Sequence, residues 1–473
     1  MIETRAARIP WLWVFWMSLP VGVFAFVEKC SGTALVFTMH KFIADPALIS
    51  LLGSVNIAFN FLVAPLVAWK SDRLRSRWGR RKPFIVAGLV LLVPALVVLP
   101  LAPNLWTLVP AILVYQFAVD FGFTGPWNPL YYEIVPPPQR GLAVAANRLM
   151  SVIARLFFNF VLLGRFDEVN AVKLAPGFAG MRAPHLTGEQ VIYFLAGALV
   201  LASVVFLALV VRESPPAVEI GARPTKPPAA FRPGREFFGS VFGSVRARLL
   251  CLLVLASVAA QVGLGQLQPL LITEQFGYTK QALGSMHGII ILLEISVVLP
   301  LMAWLLDRAD RFRLFQAGLW LAGLQPLAYW LYVRFLAPQQ IPPVPAVIGF
   351  TALGALARTA TMLALEPLLF DLTPPALLGT FNAGFVVVRG MATVLLMNGA
   401  GLWVKIWSGL FCAPLKFDYM SGYLYVFGCG LMGCALAAYV GAQRRRGNLP
   451  PLASASPADN VPRPTPAFGC RMG

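Results

Sequence analysis

Runs of about twenty apolar residues, each long enough for a helix to cross a bilayer core, recur along the whole chain. Gly, Pro and basic clusters separate them. The pattern predicts helices over 11–38, 46–69, 83–102, 104–128, 143–164 and 188–212. A second series follows over 246–273, 281–306, 314–336, 343–370, 378–404 and 418–442. Twelve spans in two groups of six describe an all-α integral membrane protein. The stretch between the groups is rich in Pro and Gly and reads as a linker. The expected organisation is therefore a six-helix bundle over 1–212, a linker over 213–245, a second bundle over 246–442 and a tail over 443–473. The tail, "RRRGNLPPLASASPADNV", is a basic cluster followed by a Pro/Ala/Ser segment expected to be disordered. The first apolar run follows Arg5 and Arg8, as in a signal peptide. It has no convincing small-x-small cleavage site and leads directly into another span, so it reads as a retained first helix.

Composition agrees with that reading. Apolar residues make up 58% of the 473 and charged residues only 12%, against about 25% charged in an ordinary soluble chain. A net charge of +18 raises the question of nucleic acid. The basic residues, however, sit between apolar runs, where they act as topology signals. They cluster after helix 2, in the linker, after helix 8 (Arg308, Arg311, Arg313) and at the start of the tail. Positive charge stays inside, so both termini are expected to be cytoplasmic and the protein to lie in the cell (inner) membrane. The six cysteines form no C-x-x-C pair and the three histidines have no ligand spacing, so neither a metal nor another cofactor is expected. There is no phosphate-binding G-x-x-x-x-G-K-[ST] loop to drive a pump with ATP. No nucleic acid partner and no enzymatic activity are expected, and the protein is expected to be a monomer.

The two halves repeat. "PLVAWKSDR" (Pro65–Arg73) returns in the second half as "PLMAWLLDR" (Pro300–Arg308), and "NPLYYEIVPP" (Asn128–Pro137) as "EPLLFDLTPP" (Glu366–Pro375). Two parallel six-helix repeats imply a pseudo-twofold axis along the membrane normal, with a site between the halves near the midplane. The first repeat runs into "SDRLRSRWGRRKPF", Ser71–Phe84, with five arginines and one lysine. Topology alone would account for the charge, but not for the spacing.

That spacing, Asp-x(6)-Gly-Arg-Arg between helices 2 and 3, resembles the loop motif of the major facilitator superfamily. The longer stretch is similar to the corresponding loop of sucrose transporters, Ser-Asp-Arg-x-x-Ser-Arg-x-Gly-Arg-Arg-Arg-Pro-Phe, which belong with the glycoside–pentoside–hexuronide:cation symporters. Lys82 departs from it, and Ala68 stands where the usual motif has Gly. The resemblance implies the major facilitator fold. It also implies a cytoplasmic gate in which Asp72, Arg73, Gly79, Arg80 and Arg81 latch the halves, with Asp307 and Arg308 as a weaker counterpart. A solvated basic loop remains the alternative.

Charged groups at membrane depth are costly and usually face a cavity. Gln116, Asp120, Thr124 and Asn128 recur every fourth residue in helix 4, with Trp127 beside them. Helix 5 carries Arg148, Ser151, Arg155 and Asn159. Helix 10 carries Arg358 at the position pseudo-equivalent to Asp120. Glu28 and Lys29 lie in helix 1; Gln261, Gln266 and Gln268 lie in helix 7. Amides, hydroxyls and an aromatic face suit a sugar. Asp120 is the first candidate for proton coupling, paired with an arginine of helix 5 or 10, and Glu28 is the second. The resemblance to sucrose transporters, with a coupling Asp in helix 4, points the same way, about one helical turn out of register. Helix 2 offers only Asn56 and Asn60 where melibiose-type carriers hold sodium with aspartates, which favours a proton. A structural ion pair is the other reading of Asp120.

The expectation is a secondary active transporter, a proton-coupled symporter of a sugar or glycoside working by alternating access in the lipid bilayer. The alternatives are a major facilitator carrier of another small metabolite or drug, and a non-transport membrane protein resembling the pigment-assembly proteins of photosynthetic bacteria.

Overall fold

The computed structural model describes residues 10–74, 76, 78–124, 126–136, 139–169, 186–211, 243–372, 378–412 and 416–447. Most of the expected linker and all but the first residues of the tail lie outside them. The described chain is a bundle of long helices: α1 Trp11–His40, α2 Pro46–Arg73, α3 Lys82–Leu101, α4 Leu105–Thr124 with its continuation Trp127–Ile134, α5 Arg140–Arg165 and α6 Gly188–Leu209. The second half contributes α7 Val245–Gln275, α8 (280–308), α9 (311–336), α10 Val344–Leu372, α11 Leu378–Phe411 and α12 Tyr419–Arg445. Eleven of these are long and apolar enough to cross a membrane. The remaining one, α9, is as long as its neighbours, but Gln316, Gln325, Arg334 and its tryptophans and tyrosines dilute it.

Local chemistry sets the helix starts. Asp45 accepts from Ala47 N at 2.9 Å, with Pro46 in the first turn of α2. Thr187 and Gln190 form a reciprocal capping box at α6. Asn104, Ser244, Thr279 and Asp310 cap α4, α7, α8 and α9 in the same way. At the other end, Lys82 Nζ donates to Ala208 O and Val211 O at 2.9 and 2.8 Å, satisfying carbonyls that the end of α6 leaves open. Arg246 Nε does the same for Leu372 O of α10 at 2.8 Å.

Each half is tied together by backbone approach. A Cβ on Gly88 of α3 would lie 2.3 Å from the Cα of Gly122 in α4, and one on Gly430 of α12 would lie 2.4 Å from Gly323 Cα in α9. Without a hydrophobic driving force in lipid, such close packing is what holds membrane helices together. Four of the cysteines, Cys30, Cys251, Cys429 and Cys434, are free and buried, filling space as small apolar groups.

Several helices depart from regular continuous spans. Helix α7 loses helical structure over 262–264 and resumes with Gly265 at φ +52°, a conformation that favours glycine. Helix α4 widens into a π-turn at Asp120–Thr124 before its continuation. Further π-turns interrupt α5 at Phe158–Leu162 and α8 at Glu294–Val298.

Candidate functional site

Contacts between the halves gather on the side of the bundle opposite the 74–81 loop. There α2 lies along α11, with Ser54 Oγ donating to Asn398 Oδ1 at 3.1 Å. Two ion pairs bridge the halves at that end, Lys405–Asp45 and Lys280–Asp167, each 2.5 Å. Burial alone would raise the Asp45 carboxyl; the Lys405 ammonium and the Ala47 N–H outweigh it and hold it below the usual carboxylate range. Beneath this seal α5 crosses α8 so tightly that a Cβ on Gly284 would come 2.1 Å from Asn159 O. Gln266, just past the α7 break, reaches across to Gly53 O of α2 at 3.4 Å.

Near the midplane, charged groups from both halves converge. Arg155 of α5 donates to Glu28 of α1 at 2.7 Å, and Arg148 of α5 lies 3.9 Å from Glu294 of α8. Lys29 is within electrostatic reach of Glu28, Arg155, Glu294 and His287. The Glu28 and Arg148 side chains are half exposed and those of Arg155 and Glu294 about a third. They are carried on α1, α5 and α8, helices of both halves.

Asp120 lies elsewhere. Only 3% exposed, it opens the π-turn of α4 and faces α2. Its Oδ1 accepts from Asn60 Nδ2 at 3.2 Å, Thr124 adds a side-chain hydrogen bond, and Oδ2 has no partner. Among the described residues no arginine of α5 or α10 pairs with it, because the face of α4 that carries Gln116 and Asp120 is turned to α2 of its own half. Gln116 follows the same direction, donating to Leu52 O at 3.0 Å and leaving Oε1 unpaired. Trp127, expected as a stacking surface, is fully buried in an aromatic column. The column runs Phe24–Phe123 (4.0 Å), Phe123–Trp127 (5.5 Å) and Trp127–Tyr131 (6.1 Å). Asn159 is also a correction, since it is 1% exposed within the α5–α8 crossing, its side-chain atoms unpaired. Ser151 bonds back to Asn147 O at 2.9 Å and Gln261 to Ser257 Oγ at 2.7 Å. The side chain of Asn128 lies outside the described ones.

In the second half Arg358 of α10 borders a cavity of about 40 Å3, opened by the α7 break. Gln268, Gln325, Thr351 and Tyr423 line it with Arg358. Gln325 donates to Phe350 O at 3.0 Å. Arg358 makes no hydrogen bond or ion pair with any described residue. Glu294, Gln325 and Tyr423 are new to the site. Glu294 had a readable signal, as a lone acid inside "GIIILLEISVVLPL".

In the loop motif Gly79 adopts φ +98°, so the turn uses the glycine. Arg81 is buried, and Arg80 and Arg81 both have partners. Arg308 is exposed and stacks over Trp304 at 4.5 Å. The side chains of Asp72, Arg73 and Asp307 lie outside the described ones. Among the described residues no group of three His, Cys, Asp or Glu side chains converges to hold a metal.

The sequence profile of the Major Facilitator Superfamily matches residues 17–397, and the chain belongs to that family. It is a multi-pass membrane protein and a secondary-active transporter in type, not an enzyme. A bacterial homologue of the human lysosomal transporter Spinster, solved in an inward-facing and unoccupied conformation, superposes with a TM-score of 0.69 at 15% identity, covering 94% of this chain and 100% of that one. The nucleoside transporter NupG gives 0.66 at 13%, covering 91% and 99%. A D-xylose–proton symporter gives 0.61 at 13%, covering 91% and 97%. At these identities the likeness is one of fold. No curated protein matches the sequence.

Proposed function

We propose that the protein carries a sugar or glycoside together with a proton by alternating access, with both termini in the cytoplasm. The observation that carries the proposal is Asp120. It is a carboxylate held inside the membrane by an amide and a hydroxyl, with one oxygen unpartnered and no cation to fix its charge. A group so placed can take a proton and lose it again at modest cost. Asn60 links it to α2, and the same helix meets α11 across the seam through Ser54 and Asn398. Protonation at Asp120 is thus one element away from the surface along which the halves must part. The solute side rests on the cavity at the α7 break. At about 40 Å3 it is too small to hold a sugar in this state. Once widened, its amides, hydroxyls and aromatic ring would suit a polyhydroxylated ring, and the unwound helix would supply free backbone groups for the same purpose. The loop 71–84 would form the cytoplasmic gate.

A second reading, a carrier of another small metabolite, draws on the charge balance. Lys29, Arg148, Arg155 and Arg358 outnumber Glu28 and Glu294 around the midplane, which suits an anionic solute.

The test is uptake of a labelled sugar panel into proteoliposomes with and without an inward proton gradient, repeated with Asp120→Asn. Wild type should accumulate one member uphill. The variant should still exchange it across equal concentrations but no longer concentrate it. Retained pH-driven accumulation would remove Asp120 from coupling and bring Glu28 forward.

A further inference from the structure

One hollow of the molecule lies away from the seam. Helices α9 and α12 touch at Gly323–Gly430 and again where Phe312 meets Gly441. Beyond Gly441, toward the basic side, a cavity of about 500 Å3 opens between the first turn of α9 and the last turn of α12. Arg313, Arg444 and Arg445 line it, with Gln316 as a further donor. Asp310 is the acid in the lining, and its carboxylate is engaged in capping Arg313 N at 2.8 Å. Among the described residues no carboxylate lies within ion-pair distance of any of the three arginines. Arg444 instead rests against the ring of Phe312, 5.5 Å from its centroid.

Three guanidinium groups gathered in a hollow and unpaired repel one another unless an anion joins them. Arginine's planar fork is suited to phosphate oxygens. The position indicates which phosphate. The site lies at the ends of two membrane helices, where a bilayer presents its head groups. Deeper along the same helices, Trp320 and Leu324 of α9 and Met432 and Tyr439 of α12 are exposed apolar side chains. A ligand with a charged head and apolar tails would satisfy both levels at once, and a soluble phosphate only the upper one. Basic pockets between membrane helices at the interface are suited to anionic lipid head groups.

We propose that this hollow is a binding site for one anionic phospholipid, whose phosphodiester is held by Arg313, Arg444 and Arg445. The site is independent of the transported solute and of the proton.

The experiment counts lipid on the whole purified protein. Detergent-purified, delipidated chain is exchanged into nanodiscs of phosphatidylcholine containing a small fraction of phosphatidylglycerol, then released and examined by native mass spectrometry. Wild type should retain one phosphatidylglycerol above the statistical background. The triple variant Arg313→Gln, Arg444→Gln, Arg445→Gln should lose it. The same three changed to Lys should keep it, and Arg248→Gln, an exposed arginine on the same side of the bundle, should not alter it. Should the triple glutamine variant fail to fold, Arg313→Gln and Arg445→Gln singly, both at exposed positions, should each lower retention at least threefold. Equal retention in the glutamine variants overturns the proposal. So does release of the lipid by millimolar inorganic phosphate or glycerol phosphate, which would make the hollow a soluble-anion site.

Discussion

Helices α4 and α10 occupy corresponding places in the two halves and have been put to opposite use. On α4, Asp120 opens a π-turn, sits against α2 and is held by neutral partners of its own half. On α10, Arg358 lies in an unbroken helix over Val344–Leu372 and borders the cavity at the α7 break. The place in the fold repeats, while the local backbone differs and the charge inverts. Duplication therefore preserved the packing that both halves need and left the polar positions free to diverge. One half came to hold a buried acid, and the other an arginine beside a small cavity. The coupling proposed above would give a reason for such an asymmetry.

The comparison can be broken most forcefully at Arg358. Arg358→Gln should weaken the apparent affinity for the transported solute about tenfold or more, since a hydrogen bond to a charged group contributes about 1.5–3 kcal/mol. Exchange assays at varied solute concentration would show the effect in KM, whereas a purely structural arginine would lower protein abundance and leave KM alone. A smaller effect is expected at the other pole. Asn60→Leu removes the α2 donor to Asp120, a loss of about 1 kcal/mol, and should lower the steady-state accumulation ratio several-fold while exchange continues. An unchanged ratio would mean that α2 does not sense the carboxylate.

The smallest effect concerns the seal. Because Lys405 and the Ala47 N–H depress the Asp45 pKa, the stability that this pair contributes is present above the ordinary carboxylate pKa, about 3.9. It is lost only as pH falls through the depressed folded value. Between pH 5 and 8 the pair should stay ionised. Exposed pairs contribute about 1 kcal/mol or less, so Asp45→Asn should change turnover by a few-fold at most and leave the shape of the pH–uptake profile intact. A profile that moves with Asp45→Asn would place pH sensing at the seal.

The spans were legible in the sequence to within a few residues at most ends, and seven at the end of α11, because a bilayer demands about twenty apolar residues per crossing and few other features imitate that. Even α9, the least apolar, expected over 314–336, is found over 311–336. The interior was harder. Spacing by four put Gln116, Asp120, Thr124 and Asn128 on one stripe with Trp127 beside it, as in a regular helix. The π-turn at Asp120–Thr124 inserts a residue and rotates everything after it by about 100°, so Trp127 turns into the core. A second π-turn holds Asn159 at the α5–α8 crossing. Sequence periodicity carries no sign of an inserted residue. The α7 break was likewise invisible, since Gly263 and Gly265 are tolerated in a continuous membrane helix and only packing decides whether they unwind.

Several close approaches across the seam have a glycine on one side. Gly284 and Gly288 meet Asn159 and Phe160, Gly390 meets Phe61, and Gly401 meets Ser50. Hydrogen bonds and ion pairs such as Ser54–Asn398 and Lys405–Asp45 engage elsewhere on the seam; at the glycines a blunt side chain bears on bare backbone. Surfaces of that kind can slide, part and come together again with every rotamer left where it was. In the alternating access proposed above, the halves would rock on a bearing greased by the lack of a side chain, with hydrogen atoms where methyl groups would otherwise stand.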